Sequence, residues 1–259
     1  MVHATESAER QVPALGGFNL TALSLEVRRM LRNRRTLMFV LVFPSMFFMM
    51  FRGTATRSAG PNADIALAYL LISMSVYGAM VGTTAGGATV AIERSLGWSR
   101  QLRVTPLKPA AYIAMKVLTA MVLSLVAVVT AFIVGALTGV HMPATVWLLS
   151  GLAAWLSSLV FAAFGLFMGF LLPSENVMQF LGPLLAILAM FGGLFMPLQM
   201  MPPTIQTIAK FTPVYGVGQL ARAPLIGGLT PLAVGGLVFW TTIFAVGAMR
   251  AFRRDTARV

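Results

Sequence analysis

The 259-residue sequence contains no cysteine and few charged residues, which account for 10% of the chain. A soluble domain carries about 25% charged residues, so this chain has too little polar surface for a water-soluble globule. Several uncharged stretches exceed the roughly 18 residues that mark a membrane-spanning helix. The absence of cysteine excludes disulfides and thiolate metal sites. The sequence therefore predicts an integral membrane protein.

The residue patterns of an enzyme are also missing. The sequence lacks G-x-x-x-x-G-K-[ST], so the chain has no P-loop with which to hold ATP. Its two histidines, His3 and His141, have no partners at metal-ligand spacing. Seven acidic residues are present, and none falls in the middle of an apolar run, where an ion-coupled transporter usually places one. We expect no catalytic residue, metal or cofactor in this chain, and any energy source must come from a partner.

Long apolar runs predict an all-α polytopic membrane protein with six transmembrane helices, because the runs are too long for barrel strands. The first predicted span is only about 24 Å long, less than the roughly 30 Å hydrocarbon core, and contains Pro44, which should kink it. Arginines at its ends could snorkel to make up the difference. The predicted spans are residues 36–51, 65–92, 112–140, 144–172, 176–196 and 231–249.

The chain before the first span divides into two parts. Residues 1–17 are polar, lack the apolar core of a signal peptide, and are predicted to be a disordered cytoplasmic tail. Residues 19–35 carry apolar side chains at helical spacing and arginines elsewhere around the helix, which is typical of an amphipathic helix at the headgroups of anionic lipid. A solvated extension of the first span is the alternative. Residues 18–259 are expected to form one transmembrane domain.

The net charge of +12 and the pI of about 11.6 could indicate nucleic-acid binding, but excess Lys and Arg in a membrane protein mark the cytoplasmic side. With six spans, fifteen of the 19 basic residues fall on the side of both termini and of residues 93–116. We therefore place both termini and that loop in the cytoplasm and expect no nucleic-acid partner. The preference for Arg over Lys, together with much Ala and Gly, hints at a GC-rich bacterial genome, and we expect the chain in the bacterial plasma membrane.

Six charges lie between Glu93 and Lys116, in the loop that follows the second predicted span. The pattern predicts a short amphipathic helix ended by a turn at Thr105-Pro106, since the residue before proline disfavours the helix. Trp98 would share one face of this helix with a leucine. Trp and Arg are typical interface anchors, so the loop either docks a partner protein or lies on lipid. The residues concerned are Glu93, Arg94, Gly97, Trp98, Leu102, Arg103, Thr105 and Pro106.

These residues resemble the E-R-x-x-G-x-x-x-x-L-x-x-x-P pattern of type-2 ABC exporter permeases, at the same place after the second of six spans. The helix before the first span is similar to the connecting helix of that family. The stretch 192–222 resembles its re-entrant extracellular segment between spans 5 and 6. Ser95 departs from the pattern, because many members carry a second acidic residue there.

The resemblance implies that two permeases, as a homodimer or with a paralogue, pair with two P-loop ATP-binding subunits that carry ATP and Mg. The loop 93–111 would dock on the ATPase, and ATP-driven closure would open an outward path. Family substrates include drugs, lipids, polysaccharides and sodium; the uncharged spans favour an apolar or amphiphilic cargo here. The competing hypothesis is a non-transporting membrane assembly protein whose basic loop binds another protein or anionic lipid.

Three further patterns are readable. Prolines after the fifth span predict two half-helices, 203–211 and 214–225, within an extracellular re-entrant segment 197–226. In that segment, Lys210 and Arg222 would lie near the outer headgroups.

A strip of glycines in the second span, Gly78, Gly82 and Gly86, allows close helix packing, either within the protomer or at a dimer seam. The run FPSMFFMMF could line a substrate path through Phe47, Met50 and Phe51, although generic packing explains it equally well.

Overall fold

The computed structural model describes residues 14–97, 108–175 and 177–257. Helices make up 86% of it and no strand occurs in these ranges, which confirms the predicted all-α fold. The α-helices, numbered in chain order, are α1 (Leu20–Leu31), α2 (Arg34–Leu37), α3 (Phe43–Ala59), α4 (Ala63–Ser95), α5 (Pro109–Leu137), α6 (Ala144–Ser157), α7 (Leu159–Leu171), α8 (Val177–Phe191), α9 (Pro203–Ala209), α10 (Pro213–Ile226) and α11 (Pro231–Ala257).

Several helices are suited to a bilayer by length and composition. In the described ranges, four helical segments are long and apolar enough to cross a membrane, namely Arg34–Ser95, Ala110–Leu137, Ala144–Leu171 and Pro231–Asp255. The first contains a turn at Gly60–Asn62 that separates α3 from α4. Helix α8 is apolar but has 15 residues, fewer than the roughly 20 of a typical spanning helix. The chain is therefore a polytopic α-helical membrane protein.

Helix α4 is the centre of the fold and packs against α3, α5, α7 and α10. Its approach to α7 depends on two glycines. A side chain at Gly87 would come within 2.6 Å of the Leu166 backbone nitrogen, and one at Gly165 within 2.4 Å of the Thr84 carbonyl oxygen. Because neither position can hold a Cβ without displacing backbone, the two helices are in direct backbone contact.

The first predicted span is longer than its sequence indicated. Helix continues through a π-helical turn at Met38–Val42 and then through α3 to Ala59, well past Phe51. The π turn directly precedes Pro44, which has no N–H with which to continue the regular ladder. The charge of Arg52 ended the predicted span, but the Arg52 side chain donates to the Thr138 carbonyl oxygen at 2.8 Å instead of ending the helix.

The fourth and fifth predicted spans also differ from the observed helices. The fourth is broken at Ser158, whose hydroxyl donates to the Trp155 carbonyl oxygen at 2.6 Å and so competes with the backbone ladder. The fifth ends at Phe191, not at residue 196. Gly193 there has φ of +78° and the Leu194 N–H donates to the Ala189 carbonyl oxygen at 3.0 Å, which closes the helix as a Schellman motif does.

The remaining predicted spans each correspond to one helix. The second and third spans correspond to α4 and α5, while the sixth continues as α11 two turns beyond residue 249, to Ala257. Residues 203–211 and 214–225, predicted as half-helices, correspond to α9 and α10. Helix α10 packs against α4, α6 and α11.

The N-terminal region differs from prediction at two points. Residues 14–17, assigned to a disordered tail, form a 3-10 turn whose Gly16 carbonyl oxygen accepts a hydrogen bond of 2.8 Å from the Lys108 N–H. The amphipathic helix predicted over 19–35 ends at Leu31 and restarts at Arg34, because the Asn33 side chain caps the second helix. In α1 Met30 is buried, whereas Leu20 is exposed.

Candidate coupling site at the end of helix α4

Glu93, near the C-terminal end of α4, is buried and accepts hydrogen bonds from three side chains. Arg29 of α1 donates to Oε1 at 2.8 Å, and Tyr112 of α5 donates to Oε2 at 2.6 Å. Lys116 of α5 donates to Oε1 as well. The carboxylate thus joins α1, α4 and α5, and its charge is compensated by two cations.

Lys116 is the second buried member of this cluster. Its ammonium group is also bonded to Glu26 of α1, which in turn lies 3.6 Å from Arg29. The side chains of Lys116 and Glu93 are 5% and 8% exposed, whereas Arg29 is 62% exposed. The interaction of Glu93 with Lys116 is therefore stronger than its interaction with Arg29, because water screens the exposed arginine.

Arg94, the next residue, binds α7 and α11 instead of α1 and α5. One of its guanidinium nitrogens donates to the carbonyl oxygens of Gly169 and Phe170 at 3.2 and 2.8 Å, at the C-terminal end of α7. The other donates to Asp255 Oδ1 of α11 at 2.6 Å. A cation is favourable at a helix C-terminus, where carbonyls lack partners within the helix.

An aromatic layer lies beside these charges. The ring of Phe252 in α11 is 5.5 Å from that of Phe170 and 6.3 Å from that of Tyr112, and Arg94 lies 5.8 Å above the Phe170 ring. These rings connect α5, α7 and α11 in one apolar cluster. Two consecutive residues, Glu93 and Arg94, consequently attach the end of α4 to the ends of α1, α5, α7 and α11.

The predicted docking loop begins directly after this cluster. Gly97 follows the last turn of α4 and has φ of +75°, so the helix ends where the sequence predicted a break. The other five residues proposed for docking lie outside the described part of the chain: Trp98, Leu102, Arg103, Thr105 and Pro106. Their role stays a prediction.

The glycine strip of α4 faces elements of its own chain. Side chains in place of Gly78, Gly82 and Gly86 would meet Pro44 at 3.2 Å, Val40 at 3.2 Å and Ala120 at 2.7 Å, respectively. These contacts account for the small residues through packing within the protomer. A dimer seam is not needed to explain them.

Of the three residues considered for a substrate path, Phe47 packs inward. Its ring lies 5.5 Å from that of Phe195 and 6.3 Å from that of Tyr77, and Phe51 stacks on it at 6.2 Å. Met50 is 57% exposed, whereas Phe47 and Phe51 are partly buried and pack against the core.

Sequence reasoning missed the partners within the charge cluster, although two signals were present. Lys116 lies inside an apolar helix, where a cation requires a carboxylate. Glu26 is the lone acidic residue of α1. The sequence could not indicate that both residues converge on Glu93, because the three positions are separated by 23 to 90 residues.

The fold and this site define a polytopic α-helical membrane subunit, with a charged junction at one end and no metal-binding cluster in the described residues. The chain belongs to the ABC-2 type transporter family, whose profile matches residues 20–226. Members are transmembrane subunits without a catalytic site of their own, and the family in general works with an ATP-binding partner subunit.

A similar protein is also named as a transport permease. The chain is 28% identical over 205 residues to the "Putative transport permease YvfS" of Bacillus subtilis (strain 168). The similarity covers 78% of this chain and 83% of the relative. The resemblance to type-2 ABC permeases inferred from residues 93–107 is thereby confirmed at the level of the family.

Proposed function

We propose that this chain is the membrane-spanning subunit of an ATP-driven exporter for an apolar or amphiphilic substrate. Two copies would pair with two P-loop ATPase subunits, which carry the ATP and Mg. The observation that carries the proposal is the attachment of Glu93 and Arg94 to four other helices, directly before the loop that the sequence pattern assigns to ATPase docking.

The junction is suited to transmit motion because each tie is short and partly or fully buried. A displacement of the loop after Gly97 acts on α4 and, through Glu93, on the interfacial helix α1 and on α5. Through Arg94 the same displacement reaches α7 and α11. The docking residues would thus move five helices together rather than α4 alone.

We further propose six crossings with both termini in the cytoplasm. The crossings would be α2–α3, α4, α5, α6–α7, α8 and α11, with α9 and α10 as the extracellular re-entrant segment. Two distant contacts support this arrangement. Arg52 in the second half of α3 contacts Thr138 at the C-terminal end of α5, whereas Glu93 and Lys116 meet near the C-terminal end of α4 and the N-terminal end of α5.

The test is native mass spectrometry of the chain purified in mild detergent from its own host. We expect a complex of two permease copies with two P-loop ATPase subunits. A known exporter of the same family, purified in parallel, controls for dissociation. If that control stays assembled while this chain is alone or bound only to proteins without a P-loop, the exporter proposal is wrong and the assembly-protein hypothesis replaces it.

A further inference from the structure

Arg222 of α10 is a buried cation for which the described residues supply no carboxylate. Two basic side chains are buried in these ranges, Lys116 and Arg222. Lys116 binds Glu26 and Glu93. Arg222 is 4% exposed and makes no ion pair within residues 14–97, 108–175 and 177–257. Burial of an unpaired charge is costly, so this position calls for an explanation.

The partners of Arg222 are neutral and belong to two other segments. Its Nη1 donates to Ser73 Oγ of α4 at 3.0 Å and to the Gly193 carbonyl oxygen, after α8, at 3.3 Å. The guanidinium also lies 4.6 Å from the ring centre of Tyr69. The Ser73 hydroxyl in turn donates a hydrogen bond to the Tyr69 carbonyl oxygen at 2.8 Å. These contacts hold α10 closed against α4 without neutralising the charge.

An aromatic group continues from this cation along the same face of α4. Tyr69, Ser73 and Tyr77 are spaced by four residues, so they follow one another on one side of the helix, with about 6 Å between successive positions. Tyr77 packs on Phe195 at 5.0 Å, and both contact Phe47. Phe195 belongs to the same turn as Gly193, which accepts from Arg222. The rings of Phe47, Tyr77 and Phe195 thus form a cluster whose members on α4 and after α8 lie within about one turn of the residues that bind Arg222.

We propose that Arg222 recognises the anionic headgroup of an amphiphilic cargo, whose apolar part packs against Phe47, Tyr77 and Phe195. The headgroup takes over the hydrogen bonds that Ser73 and Gly193 now accept, because an anionic group adds the opposite charge that these neutral acceptors lack and can accept two guanidinium N–H groups at once. Its arrival separates α10 from α4. This inference rests on the proposed export function and narrows its substrate to anionic amphiphiles.

The test measures binding by the permease alone, so it does not depend on the ATPase partner. The probes are a fluorescent fatty acid, BODIPY-dodecanoate, and its methyl ester, which differ in the charge of the headgroup. Each is titrated into the chain in phosphatidylcholine nanodiscs, with empty nanodiscs as background. We expect the wild-type chain to bind the carboxylate about tenfold more tightly than the ester, as one charged hydrogen-bonding site permits.

The variants separate charge recognition from a structural role. Arg222→Gln should abolish the preference for the carboxylate, so that both probes bind about equally. Lys210 is an exposed cation of the same segment, and Lys210→Gln should keep the preference. Ser73→Ala removes the competing neutral acceptor and should tighten carboxylate binding, a change that loss of packing would not produce. If Arg222→Gln does not purify as a folded protein, Ser73→Ala and Arg222→Lys still decide, because lysine should retain the preference in part.

Three results would overturn the inference: no preference in the wild type, an equal preference in Arg222→Gln, or unchanged carboxylate binding in Ser73→Ala. The same anionic chemistry could come from a bilayer lipid. Native mass spectrometry from nanodiscs that contain phosphatidylglycerol distinguishes that source. If the wild type retains phosphatidylglycerol and Arg222→Gln loses it, Arg222 binds a resident lipid, and the inference that it binds a cargo is wrong. These tests do not involve the ATPase. Their failure would therefore not affect the export proposal, which depends on the permease–ATPase complex.

Discussion

Arg94 and Asp255 form an ion pair of 2.6 Å across 161 residues of sequence, joining the end of α4 to the end of the last helix. Arg94 also binds two carbonyl oxygens in the last turn of α7, so one side chain joins α4, α7 and α11. The neighbouring Glu93 does the same for α1 and α5. The dipeptide is therefore a junction whose two halves can be tested separately.

Arg94→Ala should destabilise the protein more than Asp255→Asn. The ion pair itself is partly exposed and should contribute about 1 kcal/mol or less, whereas loss of Arg94 also leaves the α7 carbonyls without a donor. Thermal unfolding followed by intrinsic tryptophan fluorescence measures both variants, since a chain without cysteine cannot be followed by thiol dyes. Equal shifts in the two variants would show that the α7 carbonyls gain nothing from Arg94.

Glu93 and Lys116 should behave as a coupled pair. Glu93→Gln or Lys116→Met alone leaves a buried charge with one partner fewer and should cost about 3 kcal/mol. The double variant should cost clearly less than the sum of the two, because neither charge remains. Denaturant or thermal unfolding of the four proteins completes the cycle. Glu175→Gln, an exposed carboxylate, is the matched control and should change nothing.

Gly165→Ala should weaken the contact between α4 and α7. The new methyl group would lie 2.4 Å from the Thr84 carbonyl oxygen, and such overpacking costs about 1 to 3 kcal/mol. Gly182→Ala is the control, because a side chain there meets nothing within 4 Å. The unfolding midpoint should fall for the first variant and not for the second. A midpoint unchanged in Gly165→Ala would mean that the two helices are not in backbone contact.

The docking hypothesis makes a prediction about activity. The double variant Trp98→Ala/Arg103→Glu should abolish the coupling between ATPase turnover and the permease while leaving the fold intact, because it removes an aromatic anchor and reverses a charge. ATPase rates of the reconstituted complex, with Arg250→Ala in the permease as a control for loss of a basic residue, provide the measurement. Full stimulation by the double variant would refute the docking assignment.

The proposed orientation can be tested by labelling, since the chain has no native cysteine. Lys210→Cys in the segment after α9 should react with a membrane-impermeant maleimide added to intact cells. Arg250→Cys near the end of α11 should react only after the membrane is opened. Both side chains replaced are exposed, so a difference in labelling reports the side of the membrane. The reverse result would invert the topology that the basic residues predict.

Composition and apolar periodicity were enough to predict an all-helical membrane protein, because burial in lipid demands long uncharged helices whatever their neighbours are. The motif at Glu93-Arg94 was enough to indicate the family. Helix ends were less predictable. Arg52 was predicted to end a span, yet its guanidinium donates a hydrogen bond to the carbonyl oxygen of Thr138, directly after α5. Ser158 breaks a helix through the hydrogen bond of its hydroxyl, whose direction the sequence does not give.

The sequence by itself determined the class of the protein and its family, since both follow from local residue types and their spacing. Only the tertiary structure decided which charges meet. Glu26, Glu93 and Lys116 are distant along the chain and become one cluster because the C-terminal parts of α1 and α4 meet the N-terminal part of α5. Arg222, predicted to lie near the outer headgroups, is buried because α10 packs on α4. The electrostatic energy of such groups depends on distance and burial, and both are properties of the folded chain.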